Sequence, residues 1–265
     1  MVNLPPLPRK RLGQHFLIDP NLLRKIVSLA EIQPSDSVCE IGPGGGALTG
    51  LLCQTANQVL ALEVDARMVE FLKTELVGYA NLDVQEQDAL RYSFEDLPEH
   101  TIIVANLPYN ISTPIMFRLL EAQQKISRMV LTIQLEVAQR LVAKPSTKDY
   151  GVLSVMVQHL AEVTFGFKVS RKCFRPVPDV DSGVVRLDVR QDHQEGPVAL
   201  AQFQRTVRAA FGQRRKTLMN ALRSAGISDE CLHQVQQDTG ISLTRRAETL
   251  SVQEFRILSR AMPPL

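Results

Sequence analysis

What this chain lacks excludes several classes of protein before any motif is read. No apolar run approaches the roughly 20 residues that a membrane-spanning helix needs. The opening stretch "MVNLPPLPRKRLGQHF" has basic residues but no apolar segment of a secretory signal, and it is Pro-rich rather than helical and amphipathic. A cytoplasmic protein with no membrane partner is therefore expected. The four cysteines, Cys39, Cys53, Cys173 and Cys231, show no C-x-x-C spacing, and their mostly apolar neighbours suit reduced, buried thiols. His15, His100, His159, His193 and His233 are scattered, so no metal site is read from them. No internal repeat and no low-complexity tract stands out.

What is present is a chain of 265 residues, 45% hydrophobic, enough for a large domain plus a small one. The net charge of +2 hides an asymmetry. Residues 201–265 hold 10 Lys/Arg against 5 Asp/Glu, net +5, whereas residues 1–200 hold 20 against 23, net −3. A weakly acidic body with a basic tail points to a polyanionic partner docked partly by the C-terminal piece.

From residue 36 short apolar runs alternate with amphipathic stretches. Strands are predicted over 37–42, 58–64, 82–87, 101–107 and 128–134, and helices over 46–56, 66–76, 113–122 and 135–143. Thr113 is the expected N-cap of the third helix, with Pro114 at its first position. Repeated strand–helix units imply an α/β fold with a mostly parallel sheet and helices on both faces. The polar stretch "QDHQEGP" (191–197) reads as a linker, and the helical pattern from 200 to 226 and beyond predicts a small all-helical C-terminal domain. The expected domains are residues 1–190 and 191–265.

"EIGPGGG" (40–46) lies between the first strand and its helix. Glycine suits a loop that turns tightly and approaches a ligand closely. Yet Gly42-x-Gly44-x-Gly46 departs from the G-x-G-x-x-G spacing that cradles a dinucleotide pyrophosphate. Glu63 ends the second strand, where a carboxylate accepts hydrogen bonds from ribose hydroxyls, and Asp88 follows the third, where it meets an adenine edge. A ligand with a ribose and an adenine but no phosphate fits these features, which points to S-adenosylmethionine.

"NLPYNIS" (106–112) leaves the strand 101–107. The Asn106 side-chain oxygen and the Leu107 carbonyl together are able to accept both N–H bonds of an adenine amine. That favours a pyramidal nitrogen whose lone pair is free to attack a sulfonium methyl, with no strong base required. Pro108 holds the backbone and Tyr109 stacks on the purine. The bland alternative is an Asn–Pro turn with Tyr109 covering the core. Phe174, followed by Pro-x-Pro, reads on residue type alone as a packed strand entry. Arg214, Arg215 and Lys216, beside Arg205, Arg208 and Arg223, are candidate phosphate contacts, and Arg9, Lys10 and Arg11 are either further contacts to the polyanion or solvated.

These segments, with "GQHFLID" (13–19), "ALEVD" (61–65), "QDAL" (87–90), "YGVLSVM" (150–156), "FRPVPDVDSGVVRL" (174–187) and "FGQRRKTLMNAL" (211–222), resemble the bacterial 16S ribosomal RNA dimethyladenosine transferases along nearly the whole chain. The resemblance implies a Rossmann-like sheet of seven strands with a helical C-terminal domain. It implies dimethylation of two adjacent adenosines near the 3′ end of small-subunit rRNA, within a 30S assembly particle, by an enzyme expected to be a monomer. It places His15 and Leu17 against the cofactor beside Gly42 and Gly44, Glu63 at the ribose, Asp88 at the adenine amine and Asn106 at the reacting centre. Phe174 would close the target pocket opposite Tyr109, and Arg214, Arg215 and Lys216 would contact RNA. Two positions depart from the family pattern: His15 stands where Asn is frequent, and Leu135 where Lys is usual. A large-subunit resistance methylase shares the glycine loop and the Asn-x-Pro-Tyr/Phe motif, but "YGVLSVM" and "FGQRRKTL" favour the small-subunit enzyme. Intact Glu63, Asp88, Asn106 and Tyr109 argue against a non-catalytic nucleic-acid-binding relative.

Overall fold

A computed structural model describes residues 4–191, 196–213 and 215–263. The chain divides into two compact units, one of residues 1–138 and 161–191, the other of residues 139–160 and 192–265. The first begins with β1 (Phe16–Leu17), α1 (Pro20–Ala30), β2 (Ser37–Ile41), α2 (Ala47–Cys53), β3 (Gln58–Glu63), α3 (Ala66–Glu75) and β4 (Leu82–Glu86). It continues through β5 (Thr101–Asn106), α4 (Ser112–Glu121) and β6 (Ile126–Gln134), and the division falls within α5 (Leu135–Leu141), after residue 138. After α6 (Val152–Leu160), which belongs to the second unit, it closes with β7 (Ala161–Val169), β8 (Phe174–Arg175) and β9 (Ser182–Val189).

Seven strands form one sheet in the order β4-β3-β2-β5-β6-β9-β7. Pairing is parallel from β4 to β6 and antiparallel where β9 meets β6 and β7. The sequence pattern anticipated the parallel part only; β7 and β9 add an antiparallel edge. β2 is the point where strand order reverses, with β3 and β4 on one side and β5 and β6 on the other. In open α/β sheets a crevice opens outside the carboxyl ends of the strands at such a point.

Local chemistry explains the elements. The Asp19 carboxylate caps α1 by accepting from Asn21 N (2.8 Å) and Leu22 N (3.3 Å), a cap worth about 1 kcal/mol. The helix buries Leu23, Ile26 and Ala30 at helical spacing and packs against β6 and β9. α3 is capped by Asp65 and covers β3 and β4 with Val69 and Leu72. α4 starts earlier than expected. Its cap position is Ile111, not Thr113, its first residue is Ser112, not Pro114, and no side chain caps it. Pro114 is tolerated at the third position because that N–H has no partner within the helix. All four cysteines are free, Cys39 and Cys53 buried but Cys173 and Cys231 only half-buried. Burial pushes the Cys53 thiol up to about 11.

The second unit joins α6 to α7 (Pro197–Phe211), α8 (Leu218–Ser224), α9 (Asp229–Thr239) and α10 (Val252–Ala261). The expected boundary near 190 thus misses residues 139–160. Specific bonds tie them to the later helices. Arg256 donates to His159 Nδ1 (3.0 Å) and to its carbonyl (2.6 Å), the His159 ring stacks on Phe203, and Tyr150 donates to Leu250 O (2.9 Å). The helical pattern from 200 to 226 is broken between α7 and α8, and Thr217 caps the new helix.

Candidate functional site

A cleft opens at the carboxyl ends of β2, β3 and β5. It is lined by nine of the ten residues expected at the catalytic and cofactor site: His15, Gly42, Gly44, Glu63, Asp88, Asn106, Leu107, Tyr109 and Phe174. Leu17 is the exception. Its side chain is 6% exposed and belongs to the hydrophobic core, because alternation along β1 sends Phe16 to the cleft and Leu17 away from it. Leu17 lines instead an adjoining cavity, together with Glu40 and Arg175.

The glycine loop leaves β2 with Gly42 at φ +70°, Gly44 at +53° and Gly46 at +79°. At Gly44 the need for glycine is twofold. Left-handed backbone disfavours a side chain, and a Cβ there would lie 2.7 Å from Phe16 Cε1. Glu63, 4% exposed, accepts from Gly44 N (3.1 Å) and Asp65 N (2.9 Å). Burial raises its pKa, opposed by these backbone donors. The carboxylate thus fixes the glycine loop to β3 and keeps lone pairs for further donors. Asp65, beyond it, is held ionised by Arg67, with Arg9 at 3.5 Å. That pairing makes Arg9 part of the loop's support.

Asp88 uses Oδ1 to accept from Leu90 N (2.9 Å), and Arg91 stands 3.8 Å from Oδ2. Val64, an exposed apolar side chain at 49%, lies in the cleft between Glu63 and Asp88. Sequence reasoning passed over it and over Phe16. The available signal was an apolar residue directly after a strand-ending carboxylate, where water-facing chain is otherwise polar.

Asn106 Nδ2 donates to His15 O at 2.8 Å. A carbonyl only accepts, so this bond fixes which end of the amide is which and leaves Oδ1 as its accepting end. The turn after it is locked: Leu107 N donates to Thr132 O (3.1 Å), Ile111 N to Pro108 O (3.1 Å) and Ser112 Oγ to Tyr109 O (3.1 Å). The Tyr109 hydroxyl pairs with Ser182 Oγ at 2.8 Å, and its ring stacks on His15 at 5.9 Å between centroids. Phe174 is 1% exposed and reaches the cleft from β8, whose partner is β1. Leu135, the position where lysine is usual, is half-buried and packs over Gly183. In the second unit Arg215 and Lys216 are exposed, and Arg223 pairs with Asp229 at 2.7 Å. Arg214 lies outside the described residues.

A sheet of this order, with a glycine loop, a buried carboxylate and an Asn-Leu-Pro-Tyr turn at neighbouring strand ends, defines a Rossmann-like methyltransferase. Residues 7–258 match the family model for ribosomal RNA adenine dimethylase, and the chain belongs to that family. It is 42% identical to the Ribosomal RNA small subunit methyltransferase A of Bacillus cytotoxicus, over 97% of this chain and 91% of the relative. The protein of the same name from Moorella thermoacetica is also 42% identical, over 97% and 93%. Among solved structures, a dimethyladenosine transferase from Plasmodium falciparum superposes with a TM-score of 0.79 at 28% identity, covering 92% of this chain and 95% of that one. The 23S rRNA methyltransferase ErmE superposes at 0.74 with 30% identity, covering 93% and 98%.

Proposed function

We propose that this enzyme transfers methyl groups from S-adenosylmethionine to the N6 amines of two adjacent adenosines near the 3′ end of small-subunit rRNA, on a 30S assembly particle. It works as a cytoplasmic monomer. The orientation of the Asn106 amide is the observation that carries this reading.

The cleft fits the donor's nucleoside. Glu63 has acceptor capacity left for ribose hydroxyls, Val64 supplies an apolar face, and Asp88 Oδ2 suits an exocyclic amine. Gly42, Gly44, His15 and Phe16 border the same space, and Leu17 the adjoining cavity. When bound, S-adenosylmethionine supplies an electrophilic methyl on a sulfonium sulfur.

The chain's own part is positioning. Asn106 Oδ1 and the Leu107 carbonyl accept the two N–H bonds of the target amine and draw its nitrogen out of conjugation. Tyr109 and Phe174 provide aromatic surface for the purine. The amine would attack as a neutral group, its new N–C bond replacing the donor's S–C bond, and its proton would then pass to water, so no base is needed. Arg214, Arg215 and Lys216 contact RNA phosphates, which is consistent with the net-positive C-terminal segment.

The test is Asn106→Ala, assayed on small subunits from cells lacking the enzyme. Transfer is expected to fall by about a thousandfold or more while calorimetry still detects donor binding. Full activity of that variant would defeat the assignment. Because ErmE, named for 23S rRNA, shares the fold, isolated large subunits serve as the second substrate. Methylation of large in preference to small subunits would replace the substrate reading and leave the chemistry intact.

A further inference from the structure

His15 makes contacts to three residues, Asn106, Tyr109 and Pro176. Its carbonyl accepts from Asn106 Nδ2 at 2.8 Å. Its ring Nδ1 lies 2.8 Å from Pro176 O, and because that oxygen only accepts, Nδ1 carries the proton. The same ring stacks on Tyr109, 5.9 Å between centroids and 24° from parallel.

The chain on either side of His15 is held as well. Immediately after it, Phe16 pairs with Arg175 and Leu17 with Phe174, and Ile18 N donates to Cys173 O at 3.0 Å. Two residues before it, Gly13 takes φ +62° and approaches Asn110 so closely that a Cβ would sit 3.0 Å from Asn110 Oδ1. Residues 13–18 are therefore a strap laid between the 106–110 turn and the 173–176 segment.

We infer that His15 is a positioning residue: its Nδ1–H bond to Pro176 O and its stack on Tyr109 hold the carbonyl that orients the Asn106 amide. This rests on the role given above to Asn106. The amide is nearly symmetric in shape, so only hydrogen bonds decide which end faces the substrate. With the ends exchanged, an NH2 would confront an amine N–H, and His15 O would lose its donor and face the amide oxygen instead. Fixing the strap at its Pro176 end also fixes Phe174, one residue from the partner of Phe16. His15 thus ties the amide acceptor and the aromatic wall of the target pocket into one rigid piece.

Two competing roles make different demands on the side chain. A direct contact to the methyl donor would appear in donor affinity. A proton-accepting role would need the imidazole itself. Positioning needs only a donor of the right reach, which an Asn side-chain amide also provides.

The experiment compares full-length His15→Ala and His15→Asn with the wild type in single-turnover methyl transfer to small subunits. Donor affinity by calorimetry and thermal midpoints are recorded beside the rates. His15→Ala is expected to lower the transfer rate by about tenfold, the loss of one anchoring hydrogen bond, with donor Kd changed by less than about twofold. His15→Asn is expected to recover most of that rate. A fall that lies wholly in donor Kd, an unchanged His15→Ala rate, or a His15→Asn variant as slow as His15→Ala each overturns the inference. Asn106→Ala is the control that separates the two readings. If it is fully active, the role of Asn106 fails; if it is inactive while His15→Ala is normal, only the role of His15 fails.

Discussion

Glu40 offers the sharpest test of the electrostatics beneath the cleft. It sits one residue before the carboxyl end of β2, 2% exposed, and its Oε2 has no hydrogen-bond partner. Burial pushes its carboxyl up to about 8 from an ordinary 4.5, with the Thr49 hydroxyl opposing and the charge of Glu63 adding. The folded protein therefore keeps a proton that the unfolded chain releases above pH 4.5. The stability Glu40 contributes is complete below that pH, is lost as pH rises toward 8, and changes no further beyond it. Each unit is worth about 1.4 kcal/mol, so the whole interval amounts to roughly 3 to 5 kcal/mol. Glu40→Gln carries no titrating proton. Its amide adds a buried donor whose cost is the same at every pH, and groups that do not interact with Glu40 cancel in the comparison. Urea unfolding of both proteins at unit intervals from pH 5 to 9 should show the variant gaining on the wild type up to about pH 8 and then levelling. Parallel curves would refute the claim that this carboxyl is held neutral.

Two further outcomes follow from the same geometry. Gly44→Ala places a methyl 2.7 Å from the Phe16 ring on left-handed backbone, so a stability loss of about 2–4 kcal/mol and weaker donor binding by calorimetry are expected; wild-type values for both would show that Phe16 yields freely. Tyr109→Phe removes only the bond to Ser182 and keeps the ring, so transfer to small subunits should fall by less than about tenfold, whereas Tyr109→Ala should lose much more; equal losses would mean that the hydroxyl, not the aromatic face, matters.

Strands with continuous apolar runs, such as Ile102 to Ala105, were legible because both faces of a central parallel strand are buried. The glycine loop, Glu63, Asp88 and the Asn106 turn were legible because each lies within a residue or two of a strand's carboxyl end, where ligand chemistry concentrates. β7 was not. Its exposed and half-buried residues alternate, its register shifts between Phe165 and Phe167, and among the described residues it pairs only with β9, which lies beyond it in sequence. The facing of Leu17 was not legible because a two-residue strand has no periodicity to read. The placement of α6 was equally hidden, since the partners that claim His159 and Tyr150, Arg256 and Leu250, lie 97 and 100 residues further on.

The cleft divides its chemistry unevenly. The end formed by Asn106, Leu107, Tyr109 and Phe174 has no carboxylate among those four side chains, and burial holds the Tyr109 phenol above its ordinary range. The end formed by Glu63 and Asp88 is lined by carboxyl groups, and the Gly44 and Asp65 amides oppose the burial that raises the Glu63 pKa. A cationic methyl donor is favoured by negative potential around its nucleoside. A neutral amine nucleophile is favoured by acceptors that demand no proton. The partition matches both requirements at once. A hydrolase or a dehydrogenase built on the same sheet would need a nucleophile and base, or a phosphate cradle, where this chain has an amide, a carbonyl and two rings.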